Sequence, residues 1–206
     1  MTKELIYDTE TTGLPVWSQP SDHPDQPRVI ELAAELIDTD SREVIACMSF
    51  IIKPEGWTIP PEITTLTGIS NELANAVGVP MKMVLPCFMA LWAESDRRVA
   101  HNESFDMRMI RIELMRAAGY QQFADEWKAA PAFCTQASST NILNLPPTEK
   151  MRAKNMKGPK SPNLSEAYEF FTGQKFEGAH RASADVAACR TVFFGIRDRQ
   201  PELQPA

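Results

Sequence analysis

The sequence predicts an α/β fold, and three observations carry that expectation. Leu5-Ile6-Tyr7 is a short unbroken apolar run of the kind a central strand shows when both of its faces are covered. Two further strand patterns come early, Val29 to Ile37 and Val44 to Ile52, joined by a hairpin turn at Asp38-Thr39-Asp40-Ser41. The second half of the chain is mainly helical in period, with only short strand-like segments between. A chain of 206 residues can build one sizeable core but is short for two. One domain over residues 1–199 is therefore expected, with a loose tail at 200–206.

The first strand ends in acids. Asp8 closes the apolar run, and because alternate side chains of an extended chain share a face, Asp8 and Glu10 project together while Thr9 points away. Carboxylates crowded in this way repel, and one tends to hold a proton unless a divalent cation sits between them. Oxygen-only ligands suit Mg²⁺ or Mn²⁺. The turn residues Thr11, Thr12, Gly13 and Pro15 are expected to end the strand at once, leaving the acids at its carboxyl end, where open α/β sheets place ligands. An isolated Asp-x-Glu is common at strand ends, so the reading needs further acids where packing alone would not put them.

Composition narrows the function classes. Hydrophobic residues at 43% and charged residues at 23% are ordinary for a soluble globular protein. No apolar stretch approaches the ~18 residues of a membrane span, and Met1 to Glu4 run straight into the first strand. A cytoplasmic protein without membrane contact is expected. Cys47, Cys87, Cys134 and Cys189 are far apart within apolar patterns, which fits buried thiols in a reducing compartment better than a zinc site or disulfide framework. A formal charge of −6 argues against broad adhesion to nucleic acid. It leaves room for a nucleic-acid enzyme whose clustered carboxylates are offset by bound divalent ions.

In chain order, residues 15–28 form a loop of unusual length, rich in proline, and long ordered loops tend to be functional. His23 reads as a loop residue rather than a ligand, and Glu31 and Glu35 as solvent-facing or hairpin charges. Pro54, Gly56, Pro60 and Pro61 break the chain before a short helix near Ser70 to Ala76. From Met81 to Glu94, apolar residues at three- and four-residue spacing mark an amphipathic helix with its stripe in the core. Arg97 to Ala100 is a short strand, and Phe133-Cys134 another. Further helices are expected at Ser104–Ala118, near Gln121–Lys128, and at Thr135–Leu143, Asn163–Phe171 and Ser183–Arg197. Between Pro146 and Pro162, Lys150, Arg152, Lys154, Lys157 and Lys160 form a basic stretch.

Two of these helices carry further acids. Asp106 shares a helical face with Ile110 and Leu114, a stripe that should be buried, and a buried carboxylate needs partners. On one regular helix His180 and Asp185 would lie about 140° apart, so His180 must precede the helix. With Ser183 as its N-cap, Asp185 falls in the first turn and the two converge. Each of these acids alone also fits a favourable interaction with a helix N-terminus.

As a set these motifs resemble the DnaQ-like 3′-to-5′ exonucleases of the subgroup named for four acids and a histidine (DEDDh). They are Asp8-Thr9-Glu10-Thr11-Thr12-Gly13, His101-Asn102-x-x-Phe105-Asp106 and His180-x-x-x-x-Asp185, and the similarity spans residues 4–195. Weaker echoes are Thr67-Gly68-Ile69 and the helix before the third motif. The proline-rich segment after Leu14 and the basic insertion at 150–160 depart from the pattern.

The resemblance implies an RNase H-like fold, a mixed five-stranded sheet flanked by helices. It implies release of nucleoside 5′-monophosphates from a 3′ end, here expected to be single-stranded DNA, with trimming of RNA as the alternative. Asp8, Glu10, Asp106 and Asp185 would hold two Mg²⁺ or Mn²⁺ ions that supply the nucleophile near neutral pH and stabilise the departing 3′-oxygen. His180 would take the proton from the attacking water, and imidazole can exchange a proton near neutrality. The first-motif turn, Thr11, Thr12, Gly13 and Leu14, would receive the terminal nucleotide through backbone amides near Thr12 and Leu14, with Leu14 wedged under the base. Asn102 would shape that pocket with His101. Phe105 offers a stacking face, although its spacing with Met109 and Ile112 favours core packing. The basic stretch would follow the strand backbone. Polymerases, other replication or repair proteins, or a second copy of the chain are the partners the resemblance brings. Two rivals remain at this stage: a haloacid-dehalogenase-type phosphohydrolase, against which Glu10 speaks because the second acid is normally Asp, and a non-catalytic binding module, which would not need the full set of acids.

Overall fold

The computed structural model describes residues 2–199; the expected loose tail at 200–206 lies outside them. Five strands, β1 (Lys3–Thr11), β2 (Val29–Asp38), β3 (Val44–Ile51), β4 (Arg97–Ala100) and β5 (Ala132–Cys134), form one sheet in the order β3-β2-β1-β4-β5. β1, β2 and β3 pair antiparallel, whereas β4 and β5 join parallel to β1. Helices α1 (Pro61–Thr67), α2 (Asn71–Val77) and α3 (Met81–Ala93) lie between β3 and β4, and α4 (Glu103–Arg116) and α5 (Ala124–Ala129) between β4 and β5. α6 (Thr135–Leu143), α7 (Glu149–Ala153), α8 (Leu164–Thr172) and α9 (Ala182–Arg199) follow. Among the described residues no helix is long and apolar enough to cross a membrane.

β1 is the central strand because its apolar run is covered on both sides. Leu5 and Tyr7 pack with Phe88 of α3, Met109 and Ile110 of α4 and Trp127 of α5. Ile6 packs on the opposite face with Ile37, Val99 and the Val186, Cys189 and Phe193 stripe of α9. The two-residue period therefore sends Asp8 and Glu10 to the α9 side and Thr9 to the α4 side.

The strand does not stop at Asp8. It continues to Thr11 because β2 supplies a partner all the way, Asp8 opposite Ala33 and Glu10 opposite Glu31, with an irregularity only between Glu10 and Thr11. The other neighbour leaves earlier, since β4 pairs with β1 only from Glu4 to Ile6. The carboxyl half of β1 is thus paired on one edge and open on the other. That opening is where α4 arrives.

Three further expectations are corrected. α1 falls where prolines suggested broken chain, and α7 lies in the basic stretch, where no helix was expected; Pro61 sits in the first turn of α1, where a helix tolerates it, and Thr148 caps α7. Only Cys189 is a buried thiol: Cys47 is exposed on the edge strand β3, Cys87 is exposed on the outer side of α3, Cys134 is half-buried, and all four are free. Glu35 is half-buried and paired with Arg190 at 2.8 Å, and Glu31 is buried, because both share a face with Ala33 and Ile37 rather than with solvent.

The proline-rich loop is ordered by its own buried residues. Gln26 accepts from the Val16 amide at 3.0 Å and donates to the carbonyls of Val16, Gln19 and Pro20 at 2.9–3.3 Å. Arg116 of α4 reaches the carbonyls of Gln26 and Pro27, and Arg111 reaches Ser21. The loop is in effect a plate fastened to α4 beside the first-motif turn.

Candidate active site

Three carboxylates meet at the carboxyl end of β1. Oxygen atoms of Asp8, Glu10 and Asp185 all lie within 4.8 Å of one another. Asp8 and Glu10 come from the α9 face of β1 and are half-buried, while Asp185 is buried in the first turn of α9. Its Oδ2 accepts the His180 amide at 3.1 Å, and its Oδ1 is buried without a hydrogen-bond partner among the described residues.

Asp106 stands beside this trio rather than within it. Because β4 has left the edge of β1, the Thr9 amide has no strand partner, and Asp106 Oδ1 accepts it at 3.0 Å together with the Thr9 hydroxyl at 2.7 Å. The carboxylate, 2% exposed, is the bond that seats α4 on β1. Its charge is still felt at both Asp8 and Glu10.

His180 precedes α9 and has an exposed side chain and a left-handed backbone, φ 69°. The helix begins at Ala182, one residue before the expected Ser183 cap, because the cap comes from another strand. Glu31 of β2 accepts the Ala182 amide at 2.9 Å, and the Arg181 carbonyl accepts the Ala184 and Asp185 amides. Glu31 and Arg181 were not legible as site residues by motif; the signal for Glu31 was its two-residue spacing to Ala33 and Ile37.

The four acids of the motifs, Asp8, Glu10, Asp106 and Asp185, are all shifted upward. Burial comes first in each case. For Asp8, the charges of Asp106, Asp185, Glu10 and Glu31 add to it and hold the carboxyl well above its usual range. Glu10 is pushed up to about 8 by burial and by Asp185, Glu31 and Asp106. Burial raises Asp106 to about 7 against the opposing Thr9 hydrogen bonds, and Asp185 to about 6 against the His180 amide.

The first-motif turn meets the expectations in part. Thr11 donates from its hydroxyl to the Gly13 carbonyl at 2.9 Å, which closes the turn. The Thr12 amide, expected to face a nucleotide, instead donates to the Arg28 carbonyl at 2.8 Å, because β2 re-enters alongside the turn. Leu14 is 78% exposed, and a Cβ placed on Gly13 would meet nothing within 4 Å, so this rim is open. Asn102 is exposed in a left-handed conformation, φ 66°, just before α4. Phe105 is half-buried against the α4 core. His101 is held between the Thr135 hydroxyl at 3.0 Å and the Pro162 carbonyl at 3.1 Å, and burial pushes it down to about 4, so it is a neutral tie between β4, α6 and the following loop. The side chains of Trp17 and His23 lie on the proline-rich loop, and His23 accepts the Asp25 amide at 3.3 Å.

The sequence was compared with known families, and the model of the Exonuclease (RNase_T) family matches residues 5–193. The chain belongs to this exonuclease family. No curated protein sequence matches at a significant level. Among solved structures the fold is similar to Escherichia coli exonuclease I in complex with a dT13 oligonucleotide, with a TM-score of 0.73 and 22% identity over 98% of this chain and 42% of that one. The zinc-bound complex of E. coli exonuclease I with single-stranded DNA gives 0.72 at 22% identity, and a product-bound exonuclease I gives 0.70 at 21%, each over 98% of this chain. The chain spans less than half the length of these structures. The mixed five-stranded sheet flanked by helices is the RNase H-like arrangement that the motifs implied.

The raised acids set a pH dependence whose sign is fixed. A group whose folded pKa lies above its unfolded value, about 4 for carboxyls, stabilises the fold fully below that value and loses the contribution as pH rises through the folded one. For Asp185, Asp106 and Glu10 the loss runs from about pH 4 up to about 8. Thermal melting in a chelating buffer should therefore show a midpoint that falls from about pH 5 to 8. Added Mg²⁺ should raise the midpoint more at the upper end; equal midpoints with no response to Mg²⁺ would contradict the crowding.

Proposed function

We propose that the chain is a metal-dependent 3′-to-5′ exonuclease that releases nucleoside 5′-monophosphates, with single-stranded DNA as the preferred strand. The observation that carries this reading is the convergence of Asp8, Glu10 and Asp185 within 4.8 Å in a chain of the exonuclease family. The donor set fits a hard divalent cation: the donors are oxygens, they are forced to hold protons when alone, and Asp185 Oδ1 has a free lone-pair side. Asp8, Glu10 and Asp185, with Asp106 beside them, are the residues that would hold two Mg²⁺ or Mn²⁺ ions. Such ions supply a nucleophilic water near neutral pH and neutralise charge on the phosphate and the leaving 3′-oxygen.

The protein's own groups do the rest. His180, exposed and bonded through its amide to Asp185, accepts the proton of the attacking water. Asp185 fixes the His180 backbone through the amide bond at 3.1 Å, so base and carboxylate move as one unit. Leu14, exposed and with its amide free of partners among the described residues, is the wedge at the terminal base; Gly13 leaves room for that approach, and Asn102 borders the pocket. Thr11 and Thr12 hold the turn in shape rather than offering an amide. Phe105 contributes from the core side.

A grip on the strand beyond this pocket is supplied by the basic arm. Leu145 and Lys160 bridge its two ends, and its root is tied through the Pro162 carbonyl to His101, at the carboxyl edge of the sheet. Lys160 is spent on Glu166, which leaves Lys150, Arg152, Lys154 and Lys157 exposed on the arm. DNA is favoured over RNA because the similar structures include DNA complexes.

Asp8→Asn and Asp185→Ala should abolish digestion of single strands from their 3′ end with the fold intact. Asp8→Asn should even melt higher than wild type in chelator at alkaline pH, since an amide cannot ionise in this buried, crowded site. His180→Ala should slow the reaction by about 10²–10⁴ with cation binding retained, the range general-base catalysis contributes. 5′-labelled oligonucleotides should shorten from the 3′ end; full activity in the acid variants, or shortening from the 5′ end, would refute the assignment. Changing Lys150, Arg152, Lys154 and Lys157 together to Gln should weaken binding of long strands and flatten its salt dependence, by up to about 0.7 in the log–log slope per cation lost. An unchanged slope would free the arm of that role.

A further inference from the structure

We propose that Glu31 and Arg181 form a clamp that positions His180, making both of them positioning residues for proton transfer; the proposal rests on His180 being the base. Glu31 is 1% exposed and sits on β2 directly opposite Glu10. Both of its oxygens are engaged from the same short stretch of chain. Arg181 Nε lies 3.2 Å from each, Arg181 Nη2 lies 2.8 Å from Oε1, and the Ala182 amide donates to Oε2 at 2.9 Å. One buried carboxylate on a central strand therefore holds the side chain of residue 181 and the backbone of residue 182.

The need for such an anchor follows from what lies on the other side of His180. α8 ends at Thr172, and residues 173–181 belong to no helix or strand, with Gly173 and Gly178 at positive φ, so this approach carries little stiffness of its own. His180 is itself left-handed at φ 69°, a conformation that costs a non-glycine residue energy and persists only where the surroundings enforce it. Two contacts enforce it: its amide on Asp185 Oδ2, and the Glu31 clamp on the next two residues.

Arg181 also answers a charge problem. Glu31 is a fifth carboxylate beside the four acids, and the planar guanidinium neutralises it with a fork that a lysine cannot reproduce. Because half of the Arg181 side chain remains in solvent while Glu31 is enclosed, the pair is built from the strand outward.

The test is a double-mutant cycle on the intact chain, with folding followed by near-UV circular dichroism. Arg181→Met should lower kcat by about 10- to 100-fold, the range seen when groups that orient site residues are removed. The KM for an oligonucleotide should move far less. Arg181→Lys should recover part of the loss, and Glu31→Gln, which keeps an acceptor for the Ala182 amide without the charge, should fold and be slow as well. In a His180→Ala background, Arg181→Met should cost nothing further, because the residue acts through His180. Full kcat in folded Arg181→Met, or the same loss in the His180→Ala background, would overturn the clamp while leaving the nuclease reading untouched. Full activity of His180→Ala alone would remove the base assignment and the clamp's role with it.

Discussion

At the carboxyl end of β1, like charges are packed more closely than water-excluded carboxylates tolerate, and much of the surrounding structure can be understood as the means of keeping them there. Asp8, Glu10 and Asp185 bring oxygens within 4.8 Å of one another, with Asp106 and Glu31 close enough to push on them. Unpaired, such groups hold protons: burial raises all four acids, and at Asp8 and Glu10 the charges of their neighbours add to it. The fold accepts a local cost that a fully apolar strand end would avoid. Costs of this kind concentrate at functional sites.

Each acid is held by a different device. Asp8 and Glu10 are fixed by the strand itself, whose pairing with β2 runs on past them. Asp106 is fixed by the early departure of β4, which leaves the Thr9 amide for it to accept. Asp185 is fixed by the start of α9, and that start is set by Glu31 from a neighbouring strand. The site therefore depends on the sheet's mixed topology: antiparallel pairing on one edge of β1 extends the strand, and short parallel pairing on the other opens it.

Much of this was written in the sequence. The two-residue period placed Asp8 and Glu10 on one face, the helical stripe of Asp106, Ile110 and Leu114 buried Asp106, and the incompatible angle between His180 and Asp185 put the histidine on the incoming loop. β4 and α6 lie where the pattern put them. What escaped were consequences of long-range pairing. A charged residue in a strand, Glu31, read as solvent-facing, yet its register with Ala33 and Ile37 buried it and a distant arginine made that bearable. Cys47 read as buried, but β3 is an edge strand. The Thr12 amide read as free, but the return of the chain at Arg28, sixteen residues on, occupies it. No local pattern reports which strand ends first or which segment comes back beside a turn.

Every role proposed for this site requires the acid cluster to hold protons when empty and to exchange them for divalent cations. Calorimetric titration of the chain with Mn²⁺ near pH 7, repeated in buffers of different ionisation enthalpy, measures that exchange directly. Saturable binding with net release of protons to the buffer, lost in Asp185→Asn, is the result the structure predicts. Binding without proton release, or none at all in a fully folded chain, would contradict it.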